Sequence, residues 1–207
     1  MAISYPLSVP VTIGLAQVEF TANNAVAVSQ SPFTYDTQVH AYPGQMWSVS
    51  VALPALNRAF MEPWVAFLVS LRGPYGTFLL GDPNGKTPRG QATTFPGLPK
   101  VQSHSNGTVA FTGASANKTG WLLAGDYIQL GTGSNATLHK VLADVTTGAS
   151  GDGNIEIWPH LRREAVLNEP ITVSNCVGRF RLASGQTSWS INESCKYGIS
   201  FDCIEAL

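Results

Sequence analysis

The segment Gly81-Asp82-Pro83-Asn84-Gly85-Lys86-Thr87 comes closest to a chemical motif. Glycine-rich backbone with a following Lys and Thr is the equipment of a phosphate loop. The spacing is G-x-x-x-G-K-T, one residue short of the G-x-x-x-x-G-K-[ST] that curls amides around a phosphate. Pro88-Arg89-Gly90 cannot open the helix whose N-terminus would hold the anion, so a pair of β-turns is expected. Gly131-Thr132-Gly133 lacks the third glycine of a dinucleotide fingerprint and reads as a hairpin turn. Asp144 and Asp152 stand too far apart for a calcium loop of known spacing. His40, His104, His139 and His160 are scattered, without H-E-x-x-H or a Cys partner. No G-x-S-x-G elbow occurs, and Glu19, Asp36, Glu62 and Asp82 have no spacing that pairs them. Cys176, Cys195 and Cys203 are odd in number, lack C-x-x-C spacing and lie in apolar alternation, which predicts reduced core thiols. No catalytic, cofactor-binding or metal-ligating residue is expected.

The composition points the same way. Of 207 residues, 44% are hydrophobic, enough for a substantial core, but only 12% are charged, about half the usual share. With 20 Gly and 13 Pro, the chain favours turns and short strands over helices. A net charge of −1 supplies no basic field for a nucleic-acid backbone. Interface cores are depleted in charge, so a surface this poor in ionic groups fits one covered by other copies or partners. The first residues carry neither a basic n-region nor a long apolar stretch, so no secretory signal is expected. The apolar run from Trp64 to Val69 is too short to span a bilayer.

The elements follow from periodicity. A first strand region runs from Tyr5 to about Phe20, interrupted by Pro6 and Pro10, as an edge or arm. Phe33-Thr34-Tyr35 and Val39-His40-Ala41 are short strand candidates. Trp47, Val49, Val51 and Leu53 alternate with small or polar residues and predict a half-buried strand. Phe60, Trp64, Phe67, Leu68 and Leu71 share one face at helical spacing, with Pro63 inside the stretch and Gly73-Pro74 as the stop. A strand over 75–80 follows. Short strands over 108–112, 127–130, 136–145, 154–158 and 171–173 predict a small barrel. In the tail, Trp189, Ile191, Cys195, Tyr197, Ile199, Phe201 and Cys203 share one parity, so one face buries. The predicted fold is mainly β: a discontinuous β-sandwich or split-barrel belt domain (1–99 plus 178–207) with one packed α-helix, and an inserted small β-barrel domain (100–177). The core is expected to hold Trp47, Val49, Val51, Phe60, Trp64, Phe67, Leu68, Leu71, Tyr197, Ile199 and Phe201.

The order of strand, apolar helix, glycine stop, strand and proline turn, written WSVSVALP (47–54) and WVAFLVSLRGPYGTFLLGDP (64–83), resembles the minor tail protein M family of lambda-like phages and the belt domain of siphophage distal tail proteins. GDYIQLG (125–131), HKVLADV (139–145), IWPHLR (157–162) and GRFRL (178–182) are similar to text in the same proteins. The resemblance implies a non-enzymatic virion protein, made in the host cytoplasm and located at the distal end of a long non-contractile tail. It implies a homo-hexameric ring between the tail-tube protein, the tape measure protein, and the tail hub and other minor tail or fibre proteins. It implies no cofactor, no nucleic-acid recognition and no membrane span. On this reading Lys86 and Arg89 would touch a neighbouring ring. Arg162 and Arg163 would pair with an adjacent protomer, or lie on a plain surface. An arm holding Tyr5 and Pro6 would drape over a neighbour. Two other readings stay open: a receptor- or carbohydrate-binding tail module using Trp121 and Trp158, and a tail-tube or tail-completion subunit.

Overall fold

A computed structural model of the protein describes residues 3–10, 14–105 and 107–206. The middle of the expected first strand region (11–13) lies outside them. The strands are β1 (Leu7–Ser8), β2 (Gln17–Gln30), β3 (Thr37–Ala52) and β4 (Phe78–Leu80), then β5 (Lys100–Ser105), β6 (Thr108–Thr112), β7 (Tyr127–Leu130), β8 (Thr137–Val141), β9 (Gly153–Trp158) and β10 (Ile171–Thr172). After them come β11 (Gly178–Leu182), β12 (Ser190–Ile191), β13 (Tyr197–Gly198) and β14 (Ser200–Glu205). The helix α1 spans Arg58–Ser70. Among the described residues the protein is thus mainly β, with one α-helix.

One six-stranded sheet has the order β1-β4-β11-β14-β3-β2. β14 lies antiparallel to β3, with Phe201 opposite Val51 and Ile204 opposite Ser48. Helix α1 packs on this sheet: Trp64 lies 6.4 Å from the Phe201 ring and Phe67 5.5 Å from Phe78. Trp47, Val49, Val51, Trp64, Phe67, Leu68, Leu71 and Ile199 are buried in one cluster, with Tyr197 and Phe201 half-buried against it. Phe60 departs from the expected face and is 47% exposed. Met61 takes the sheet-facing place in the first helical turn and leaves Phe60 outside. The helix runs through Pro63, which costs it one backbone hydrogen bond. It ends at Ser70 with Leu71 as its C-cap, and the left-handed backbone that breaks it begins at Arg72 (φ +54), one residue before Gly73 (φ +68).

The second sheet, β10-β7-β8-β9-β6-β5, curls into a nearly closed barrel. Its ends meet where Val101 N–H donates to Glu169 O (2.9 Å), Asn168 N–H to Val101 O (2.8 Å) and Ile171 N–H to Pro99 O (2.9 Å). Phe111 and Trp121 stack at 4.9 Å inside it, among Ile128, Leu130, Ile155 and Ile157.

Three expectations fail locally. Phe33-Thr34-Tyr35 forms a turn, not a strand, with Tyr35 at φ +59. The tail is not one long alternating strand. β12 and β13 form a separate two-stranded hairpin, with Ile191 opposite Tyr197, and Cys195 at φ +55 breaks the pleat. Trp189 and Ile191 therefore stay exposed, and Cys195 is an exposed thiol, not a core one.

Candidate functional site

β2 and β3 pair along their whole length, from Gln17 opposite Ala52 to Gln30 opposite Thr37, with an irregularity between Asn24 and Val26. β14 supports β3 only as far as Ser48. Beyond that point the two strands leave the sheet as a ribbon extending roughly 25 Å at about 3.3 Å per residue. From Thr21 to Gly44 every residue is exposed except the half-buried Ser31. Cross-strand pairs divide the ribbon into two faces. Val26 with Ala41 and Val28 with Val39 make an apolar side, while Ala27 with His40 and Ser29 with Gln38 make the other. The tip is ordered: Ser31 Oγ accepts from the Phe33 and Thr34 amides (3.3 Å each), and Ser31 N–H donates to Asp36 O (2.9 Å). It presents Phe33 and Tyr35, 90% and 73% exposed. Between Glu19 and Arg58 the only charged residue is Asp36.

The barrel grips the root of this ribbon. Trp158 Nε1 donates to Asn24 Oδ1 (2.8 Å), and the His160 amide to Gln45 Oε1 (2.7 Å). Trp47, buried where the ribbon begins, donates from Nε1 to Leu138 O (3.0 Å) and meets Trp158 edge-on at 4.4 Å. Arg162 donates to Gln45 O and ion-pairs with Glu205, whose other oxygen accepts the Trp47 amide at 3.2 Å. An open cavity of about 710 Å³ lies between this root and the 160–162 segment.

The residues chosen from sequence are dispersed, and most are held within their own chain. Tyr5 Oη donates to Ser70 O (2.6 Å), and β1 lies parallel to β4, so Tyr5 and Pro6 belong to the protein's own sheet edge and form no free arm. Arg89 is bound to Asp126, whose carboxylate also takes the Arg89 and Leu123 amides (3.0 and 2.9 Å). Lys86 is exposed on the same loop, with its carbonyl accepting from Asn175 N–H at 2.6 Å. Arg162 and Arg163 are ion-paired within this chain, to Glu205 and Glu169. Trp121 is fully buried and offers no face for a sugar, while the half-buried Trp158 is engaged edge-on with Trp47 and through Nε1 with Asn24.

Sequence reasoning missed Gln45, Asn24 and Glu205. Glu205 did leave a signal: it continues the buried parity of Ile199 and Cys203, and a carboxylate on a core face requires a cation. His139 is buried too, with Nδ1 donating to Pro159 O (2.8 Å) and Nε2 accepting from the Thr137 hydroxyl (2.9 Å), the tautomer that a carbonyl partner dictates. Burial, with Arg162 and Arg163 nearby, lowers its pKa to about 4. Burial likewise pushes the Cys176 and Cys203 thiols up to about 12, which leaves them poor nucleophiles. Among the described residues no group of three or more His, Cys, Asp or Glu converges on a metal position. No helix among them is long and apolar enough to cross a membrane. No known family model matches the chain, and no curated protein is significantly similar to it.

Proposed function

We propose that this protein is a structural, non-enzymatic subunit of a long non-contractile phage tail, forming a hexameric ring at the distal tip that joins the tube to the hub and fibre proteins. One observation carries the ring: a long ribbon with both edges unpaired, both faces exposed and a single charge. A two-stranded ribbon alone in water is at best marginally stable. Natural edge strands are usually blunted with lysines, prolines, bulges or a covering element. This ribbon carries only Pro43 and the irregularity beside Asn24. Its two edges run antiparallel, so the β2 edge of one copy suits the distal β3 edge of the next. Such contacts are head-to-tail, and they close into a ring when the rotation permits. The sparse surface charge supports the same reading. The placement in a phage tail draws on the resemblance of residues 47–83 and 120–207 to tail-tip proteins.

Native mass measurement of the purified chain, together with labelled imaging of phage tails, tests this. The expected result is one closed ring per particle at the distal end. Dozens of rings per tail would make the protein a tube subunit. A chain that stays monomeric at every concentration would overturn the reading.

A further inference from the structure

We infer that Arg162, Glu205 and Pro43 form a stop on the outer edge of β3 that sets where a second copy's strand begins to pair. The inference rests on the ring reading and adds its register.

Along β3, the residues that present backbone groups toward β14 are the odd-numbered ones, as the bond from Leu53 N–H to Ile199 O (3.0 Å) marks at the strand's end. β14 covers this edge up to Ser48. An arriving strand would otherwise continue the sheet from there, at Trp47 and Gln45. Both positions are already occupied. The Trp47 amide donates to Glu205 Oε2, and the Gln45 carbonyl accepts from Arg162. Pro43 has no amide to offer. The open part of the edge therefore begins beyond Pro43 and covers 37–42. The outer edge of β2 contains no proline from Gln17 to Gln30, and among the described residues no side chain bonds its outward backbone groups.

The chemistry of the stop matches such a task. Glu205 and Arg162 have side chains only 3% and 20% exposed, in a chain with few charges anywhere. A buried ion pair is weak evidence for stability, and its best-attested use is to specify register. Without it, two more positions on β3 become available, and a shift in pairing would turn the valine side of the ribbon over or stagger the neighbouring copies. A staggered contact does not close.

The test compares the wild-type chain with Arg162→Met combined with Glu205→Leu, which removes both caps at similar volume and strands no buried charge. Arg162→Lys serves as the control that keeps a cation beside Glu205. Particle masses and class averages are read out, with circular dichroism and thermal melting to verify folding. Wild type and Arg162→Lys are expected to give one ring mass. The double variant is expected to lose that single mass and give several ring sizes or open chains. If it does not fold, Pro43→Ala restores a donor on the same edge and is expected to broaden the mass distribution. A folded double variant, or failing that a folded Pro43→Ala, that still gives the single wild-type ring overturns the stop but leaves the ring reading intact. A wild type that never assembles overturns both.

Discussion

The barrel and the ribbon are built from the same kinds of strand and end in opposite conditions. In the barrel, β5 meets the 168–171 segment and each edge finds its partner within the chain. Its interior is filled by Trp121, Phe111 and a set of branched aliphatics, all buried. In the ribbon, among the described residues, the backbone groups of β2 and the distal part of β3 pair only with each other, and Val28 and Val39 face outward. One region satisfies its backbone and apolar groups itself, and the other carries the same needs out of the molecule. The proposed division of labour follows: the barrel grips the ribbon's root, and the ribbon meets the neighbour.

Paired substitutions break this comparison most sharply. Trp121→Ala removes a fully buried ring stacked on Phe111 and should cost about 3–5 kcal/mol, read as a large drop in the denaturant midpoint. Val28→Lys, at a position 64% exposed, should leave monomer stability within about 0.5 kcal/mol while abolishing assembly. A Val28→Lys chain that assembles normally would remove the ribbon from the interface.

Acid should act on the barrel and its junction before the ribbon. The folded protein holds His139 neutral down to about pH 4, whereas an unfolded histidine protonates near 6.5. Between those values the unfolded chain binds more protons, so stability falls as pH drops from about 6.5 to 4, by roughly 3 kcal/mol. His139→Gln should flatten that slope in a series of melts across this range. A slope unchanged by the substitution would assign acid sensitivity elsewhere.

The smallest effect sharpens the contrast between core and surface. Of the three thiols, Cys195 should react rapidly with a disulfide reagent in the folded protein, with little change in melting temperature. Cys176 and Cys203 should react only on unfolding. Rapid labelling of a second thiol would mean that one of the two cores opens readily.

The legible parts of the molecule are those where one face meets the chain's own core. The Trp47-Val49-Val51 alternation and the Trp64-Phe67-Leu68-Leu71 spacing record burial directly, and so do the short barrel strands from Thr108 to Trp158. The ribbon left only a short trace, the strand candidate Val39-His40-Ala41 that lies within β3. Nothing in its own chain covers residues 21–44, so Asn23-Asn24 and the alanines around Val26 show no strong alternation to read. Phe60 misled for a related reason: helical spacing says which residues share a face, not how far the opposing sheet reaches beneath it. Cys195 and Ile191 kept the parity of a strand that a turn at residue 195 interrupts.

Taken alone, the order of residues determined the β-rich class, the single helix and the lack of a familiar catalytic pattern, because periodicity and motif spacing are local properties of the chain. The tertiary structure decided that residues 45, 47, 162 and 205 meet at the root of an unsupported ribbon, and that the barrel closes while the ribbon does not. Those outcomes depend on which backbone edges stand opposite one another, and no local pattern encodes that.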